Sequence, residues 1–229
     1  MPINKRTKIV ATLGPATSTK VILKGMLDAG VNVFRVNFSH ANYDDVKERI
    51  EMIRDLNEEY GYNAAILADL QGPKLRVGVM KEEVIVQPGD EIVFATGKEF
   101  KGTASRVYMN YETFPQDVQK GERILLDDGK LIFEIVSTNK VDEVVTRVIQ
   151  GGPLKSKKGV NLPNTNISLP ALTEKDIEDA IYACELKVDW MALSFVRNEQ
   201  DLILLQNLIK EHSEHKIPII SKIEKPEGV

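Results

Sequence analysis

Apolar and polar positions follow two different regimes along this chain. From Lys8 to Leu13 a short apolar run stops at Gly14-Pro15, and Ser18 or Thr19 then opens a stretch in which Ile22, Leu23, Met26 and Leu27 recur at helical spacing before Gly30. That order predicts a strand, a turn, an amphipathic helix and a stop. Val31 to Phe38 repeats the strand signal with Asn32, Arg35 and Asn37 set into it, and Asn42 opens a helix whose Val46, Ile50, Ile53 and Tyr60 predict its buried face, ending at Gly61. Ala64 to Asp69 is apolar on both faces until its last residue, as in a strand covered on two sides. Strands and helices alternating over short links predict parallel strands joined by right-handed crossovers.

After Gly72-Pro73 the period changes. Short strands are predicted over Glu83–Gln87, Glu91–Phe94, Ile124–Leu126, Leu131–Val136 and Val144–Ile149, separated by turn signals such as Pro88-Gly89-Asp90 and Asp127-Asp128-Gly129. This reads as an antiparallel β module closed by Gly151-Gly152-Pro153, the basic turn Lys155, Lys157, Lys158 and the polar connector Asn161 to Ser168. Helical spacing resumes at Thr173, with Asp176 three residues on as a capping partner and Ile177, Ala180, Ile181 and Cys184 as one face. A strand over Val188–Ser194, a helix capped by Asn198 with Leu202, Leu205 and Ile209 inward, and a strand over Pro218–Glu224 follow. The fold class expected is α/β: a frame of about five parallel strands formed by residues 1–72 and 171–229, with residues 73–170 as an inserted all-β domain.

Composition narrows the function. The 229 residues are 42% hydrophobic with a formal net charge of -4, and no long basic block exists, so a nucleic-acid partner is not expected. No apolar run approaches the roughly 18 residues of a membrane span, and Met1 to Lys8 is polar, so a cytoplasmic location without membrane contact is the expectation. The single cysteine, Cys184, lies on an apolar stripe and reads as a small core residue. His212 and His215 have no third ligand near them in sequence, and no Walker loop, dinucleotide fingerprint or His-Glu-x-x-His motif occurs.

The strand ends carry the chemistry: Arg35, Asn37 and Ser39; Asp69 and Arg76; Ser194 and Arg197; Lys222 and Glu224. In a parallel frame these C-terminal ends share one rim, which brings residues distant in sequence together. Arginines and a lysine beside two carboxylates suit a small anionic, phosphorylated or carboxylate substrate with a divalent cation held by hard oxygens such as those of Glu224. Lys222 and Glu224, two apart in a strand, would share a face. From residue types alone, Lys155, Lys157 and Lys158 remain either a solvated turn or a phosphate clamp.

Lys8 to Ala16, Arg35-Val-Asn-Phe-Ser-His40, Asp69-Leu-Gln-Gly-Pro-Lys-Leu-Arg76, Lys158-Gly-Val-Asn-Leu-Pro163 and Ser221-Lys-Ile-Glu224 together closely resemble the pyruvate kinase family over the whole chain. The resemblance implies a (β/α)8 TIM barrel, here partial, with a β-barrel lid inserted after its third strand. It implies Mg2+-dependent transfer of the phosphoryl group of phosphoenolpyruvate to ADP in glycolysis, giving pyruvate and ATP, and a homotetrameric full-length enzyme. By position, Arg35 would bind the phosphoryl group and Lys222 would stabilise its charge during transfer. Glu224 would ligate Mg2+, and Asn37, Ser39, Asp69 and the Leu70 carbonyl would form a monovalent-cation site. Asn37, His40, Arg76 and Lys158 would contact the nucleotide. Two departures carry expectations. The family's second Mg2+ carboxylate and later strands lie beyond residue 229, so the chain alone is expected to be inactive. Lys74 stands where many members have glutamate, so K+ is expected to be dispensable, its charge replaced by the lysine. Two other readings stay open: a different metal-dependent, enolate-forming barrel lyase or aldolase, and a non-enzymatic folding or interaction fragment.

Overall fold

The computed structural model describes residues 6–224 and 228. Strand β1 (Val10–Thr12) leads to helix α1 (Lys20–Asp28), strand β2 (Val33–Asn37), helix α2 (Tyr43–Tyr60) and strand β3 (Ala65–Asp69). The helix starts are set by side-chain oxygens. Thr19 accepts from the Ile22 amide, and Asn42 accepts from the Asp44 and Asp45 amides, each filling a donor that helix geometry leaves orphaned. Gly61 closes α2 at φ 71°, a left-handed position in which a side chain is strained. The buried face of α2 is Val46, Ile50, Ile53 and Leu56; Tyr60, expected inward, is 49% exposed because the helix overruns the core by its last turn.

The excursion after Pro73 holds strands β4 (Val84–Val86), β5 (Glu91–Ala95) and β6 (Arg106–Tyr108), the short helix α3 (Phe114–Asp117), then β7 (Arg123–Leu126), β8 (Leu131–Thr138), β9 (Glu143–Gln150), β10 (Gly152–Leu154) and β11 (Val160–Asn161). Six of its strands form one sheet in the order β11-β7-β8-β9-β5-β6, and β10 pairs with β4. Three strands and α3 depart from the sequence reading. β6 runs parallel to β5 in a module expected to be antiparallel. β10 lies where Gly151-Gly152-Pro153 reads as a closing turn, and β11 lies within the basic turn and polar connector. The glycines there serve close approach: a Cβ on Gly151 would come 2.3 Å from the Val86 carbonyl oxygen.

The parallel frame then resumes with α4 (Glu174–Glu185), β12 (Trp190–Leu193), α5 (Glu199–His212) and β13 (Ile219–Ser221). Its sheet has the order β1-β2-β3-β12-β13, with every pairing parallel, and it curls into part of a barrel. Thr173 and Asp176 form the reciprocal cap at the start of α4. The inward face of α4 includes Ala180 and Cys184 as expected but takes two carboxylates in place of Ile177. Asp176, Asp179, Ala180, Ala183 and Cys184 are buried, whereas Ile177 is 38% exposed. The two buried carboxylates are tolerated because each is bonded: Asp176 accepts from Thr173 and from the Gly72 amide, and Asp179 from the Tyr43 hydroxyl and Lys175. Burial and the Asp179 acceptor raise the Tyr43 phenol above its ordinary range. Burial likewise pushes the Cys184 thiol up to about 11, so it stays protonated at neutral pH.

The chain divides into two compact units, Met1–Pro73 with Pro170–Val229, and Lys74–Leu169. Each has its own apolar core, one around Phe34, Ile53, Ile66 and Met191, the other around Phe94, Phe114, Phe133 and Ile124. Residues 74–169 expressed alone are therefore expected to give a dispersed, β-type NMR spectrum and cooperative unfolding, and a collapsed spectrum would contradict their autonomy.

Candidate active site

In the first unit, β2, β3, β12 and β13 deliver polar side chains to their shared C-terminal rim. Asp69 closes β3 and is 4% exposed. Its Oδ2 accepts from Arg35 Nε at 2.7 Å and its Oδ1 from Lys222 Nζ at 3.1 Å. A buried carboxylate without partners costs several kcal/mol, so Asp69 anchors two cations that would otherwise repel each other. Arg35 also donates to the Thr12 hydroxyl at 3.0 Å, while its side chain and that of Lys222 each keep 30% exposure. Both charged ends are thus fixed, on side chains that stay partly exposed.

Lys222 has a second acceptor, Ser194 Oγ at 2.8 Å, and that hydroxyl donates to the Leu70 carbonyl at 2.7 Å. Ser194, 3% exposed, was legible as a strand-end polar residue, but nothing in the sequence tied it to Lys222. Glu224 lies just past β13, which ends at Ser221 instead of running to Glu224 as expected. The same-face relation still holds: Glu224 Oε1 is 3.7 Å from Lys222 Nζ, and Oε2 accepts from the Phe195 amide at 3.0 Å. Arg197 points into its own helix start, 3.6 Å from Asp201.

Asn37 ends β2 and its Oδ1 accepts from the Ser39 amide at 3.1 Å. A cavity of about 320 Å³ opens there, lined among others by Thr12, Pro15, Asn37, Asp45 and Arg49. His40 closes the short helix Phe38–His40, and its side chain lies outside the described residues.

Arg76, Lys158 and Lys74 belong to the second unit. Arg76 pairs across to Gly159 and its guanidinium donates to the Lys157 carbonyl at 2.9 Å, so the unit itself brings Arg76 beside the basic turn. Lys158 Nζ is 3.0 Å from Asp127, and that lysine holds the Asp127 carboxyl below its ordinary range. The Lys74 carbonyl accepts from Asn110.

Among the described residues no group of three or more His, Cys, Asp or Glu side chains is placed to hold a metal ion. Glu224 nevertheless fits a single hard-oxygen ligand, since only one of its oxygens takes a backbone N–H. Asn37 Oδ1 and the Leu70 carbonyl each accept one bond and retain a second lone pair, as a monovalent-cation ligand requires.

The family description "Pyruvate kinase, barrel domain" matches residues 4–229. Similar proteins include pyruvate kinases of Clostridium perfringens, 40% identical over 98% of this chain and 48% of that protein, and of Mycobacterium tuberculosis, 40% identical over 99% and 48%. Another from Bacillus licheniformis is 39% identical over 98% of this chain and 39% of its own length. The chain spans about half the length, or less, of these relatives. A rim with fixed cations at the strand ends of a partial parallel barrel, and a family match over nearly every residue, place the chain in the pyruvate kinase family.

Proposed function

We propose that these residues form the phosphoenolpyruvate end of a pyruvate kinase site, transferring the phosphoryl group to ADP to give pyruvate and ATP in cytoplasmic glycolysis. The whole enzyme is proposed to be a homotetramer. The observation that carries the reading is the Arg35–Asp69–Lys222 cluster, in which one buried carboxylate holds two partly exposed cations on neighbouring strand ends. Phosphoryl transfer asks a protein chiefly for positioning and for positive charge around the moving group. Arg35 binds the phosphoryl oxygens, and Lys222 follows their charge as the bond loosens. Asn37, His40, Arg76 and Lys158 are the proposed nucleotide contacts.

Charge counting supports a divalent cation. Arg35 and Lys222 are balanced by Asp69 and Glu224, so an anionic substrate brings negative charge that these four residues do not offset. Glu224 would hold Mg2+ together with substrate oxygens, and when bound the ion supplies Lewis-acid polarisation of those oxygens. For the monovalent site of Asn37, Ser39, Asp69 and Leu70, the proposal is that K+ is dispensable because Lys74 supplies a permanent positive charge. In an active enzyme carrying these residues, steady-state rates in an inert organic cation are expected to match those in K+, and Lys74→Glu is expected to create a K+ requirement. A wild type as K+-dependent as the glutamate variant would refute this.

The function itself is tested by joining residues 1–229 to the remaining half that a relative possesses and assaying with phosphoenolpyruvate, ADP and Mg2+. ATP and pyruvate formation is expected, and Arg35→Ala is expected to remove it. Carbon–carbon bond cleavage without phosphoryl transfer would instead identify a lyase or aldolase.

A further inference from the structure

The end of β12 departs from a regular ladder at one residue. The Lys222 amide donates to the Leu193 carbonyl at 3.0 Å, so in an even parallel ladder the Phe195 amide would donate back to the Lys222 carbonyl. The bond comes from Val196 instead, at 3.2 Å. Phe195 is thus an inserted residue, a bulge, and it sits at φ 55°, a left-handed conformation uncommon for an aromatic residue. Its amide, released from the ladder, donates to Glu224 Oε2 at 3.0 Å. The residue before it, Ser194, accepts from Lys222 at 2.8 Å.

The bulge is also locked from the β3 side. Gly72, at φ 68° where a side chain is strained, is also tightly packed: a Cβ would lie 3.0 Å from the Phe195 ring, 3.1 Å from Ser194 Cβ and 3.2 Å from the Ser194 carbonyl oxygen, so these neighbours would have to shift. The Gly72 amide is tied to buried Asp176 at 3.0 Å. Strained backbone persists where surrounding structure over-determines it, and such strain concentrates at functional sites.

We propose that the Ser194-Phe195 bulge is the positioning element of this site, holding Lys222 through the Ser194 hydroxyl and Glu224 through the Phe195 amide, with Gly72 as its backstop. The inference deepens the pyruvate kinase reading and rests on it for its catalytic consequence, but the clamp itself can be tested without that reading. Amide hydrogen exchange on the 229-residue chain is the first measurement. The Phe195 amide is expected to exchange about tenfold or more slower in wild type than in Glu224→Ala, as for a bond to a charged acceptor. Phe195→Gly, which adopts the same φ freely, is expected to keep the protection. Equal exchange in wild type and Glu224→Ala refutes the clamp whatever the enzyme does.

The second measurement uses an active enzyme carrying these residues. Ser194→Ala is expected to lower kcat about tenfold with KM for phosphoenolpyruvate changed less than about threefold, and Ser194→Thr to restore most of the loss. Gly72→Ala should lower kcat and Phe195 protection together; should it fail to fold, Ser194→Ala, which adds no atom, carries the test. Protection that is present while Ser194→Ala turns over like wild type overturns the positioning role and leaves the pyruvate kinase reading intact.

Discussion

Lys222→Met, in an active enzyme carrying these residues, is expected to lower kcat by about three orders of magnitude or more while KM for phosphoenolpyruvate changes little. The scale is that of removing a cation aimed at a transferring phosphoryl group. The side chain is held for that task, with its ammonium 3.1 Å from Asp69 and 2.8 Å from Ser194, and 30% of the side chain open to solvent. Methionine keeps the length and deletes the charge, so Arg35 still pairs with Asp69 and still presents a binding cation. Charge needed most in the transition state appears in kcat, because ground-state binding is shared with Arg35. Stopped-time assays at saturating substrate check it, alongside thermal unfolding to confirm that Asp69 tolerates the loss of one partner. An effect confined to KM would contradict the role.

A polypeptide of residues 1–229 by itself is expected to show no measurable pyruvate kinase turnover. Its five-stranded parallel sheet has β1 and β13 as edges, and apolar side chains stand open beside them: Val10 is 54% exposed, Ile220 41% and Ile223 48%. A groove of about 660 Å³ runs along α5 and β13 past Leu202, Ile209, Ile217 and Ile219. Unpaired parallel edges and exposed aliphatic surface favour association over a closed, rigid rim. Of the two carboxylates in the Arg35–Asp69–Lys222–Glu224 cluster, only Glu224 is not bound to an arginine among the described residues. A coupled assay on the purified chain decides it; a rate near the roughly 10 per second typical of enzymes would overturn the expectation.

Local signals in the sequence determined most of the parallel frame. Asn42, Thr173 and Asn198 cap the helices they were expected to cap, and of the two candidates Ser18 and Thr19 it is Thr19 that caps α1, because capping needs only a side-chain oxygen two or three residues from an orphaned amide. The apolar run ending in Asp69, the change of period after Pro73 and the later return to helical spacing were legible for the same reason: periodicity is a property of neighbouring residues. Signals with no local carrier were missed. Strand β10 exists because Gly151 lets a backbone approach Val86, and β6 pairs parallel to β5 across a connection that no turn motif marks. The burial of Asp176 and Asp179 on α4 could not be read from hydrophobicity, since beside their local partners Thr173 and Lys175 they are bonded by Gly72 and Tyr43, more than a hundred residues earlier. The rim divides in the same way. Residue types placed Arg35, Asp69, Lys222 and Glu224 at strand ends, but the pairing of Asp69 with both cations spans 34 and 153 positions. Ser194 and Phe195 acquire their contacts from a single inserted residue in a ladder between β12 and β13. Hydrogen-bond register between strands distant in sequence is set by three-dimensional packing, and only the tertiary structure could decide it.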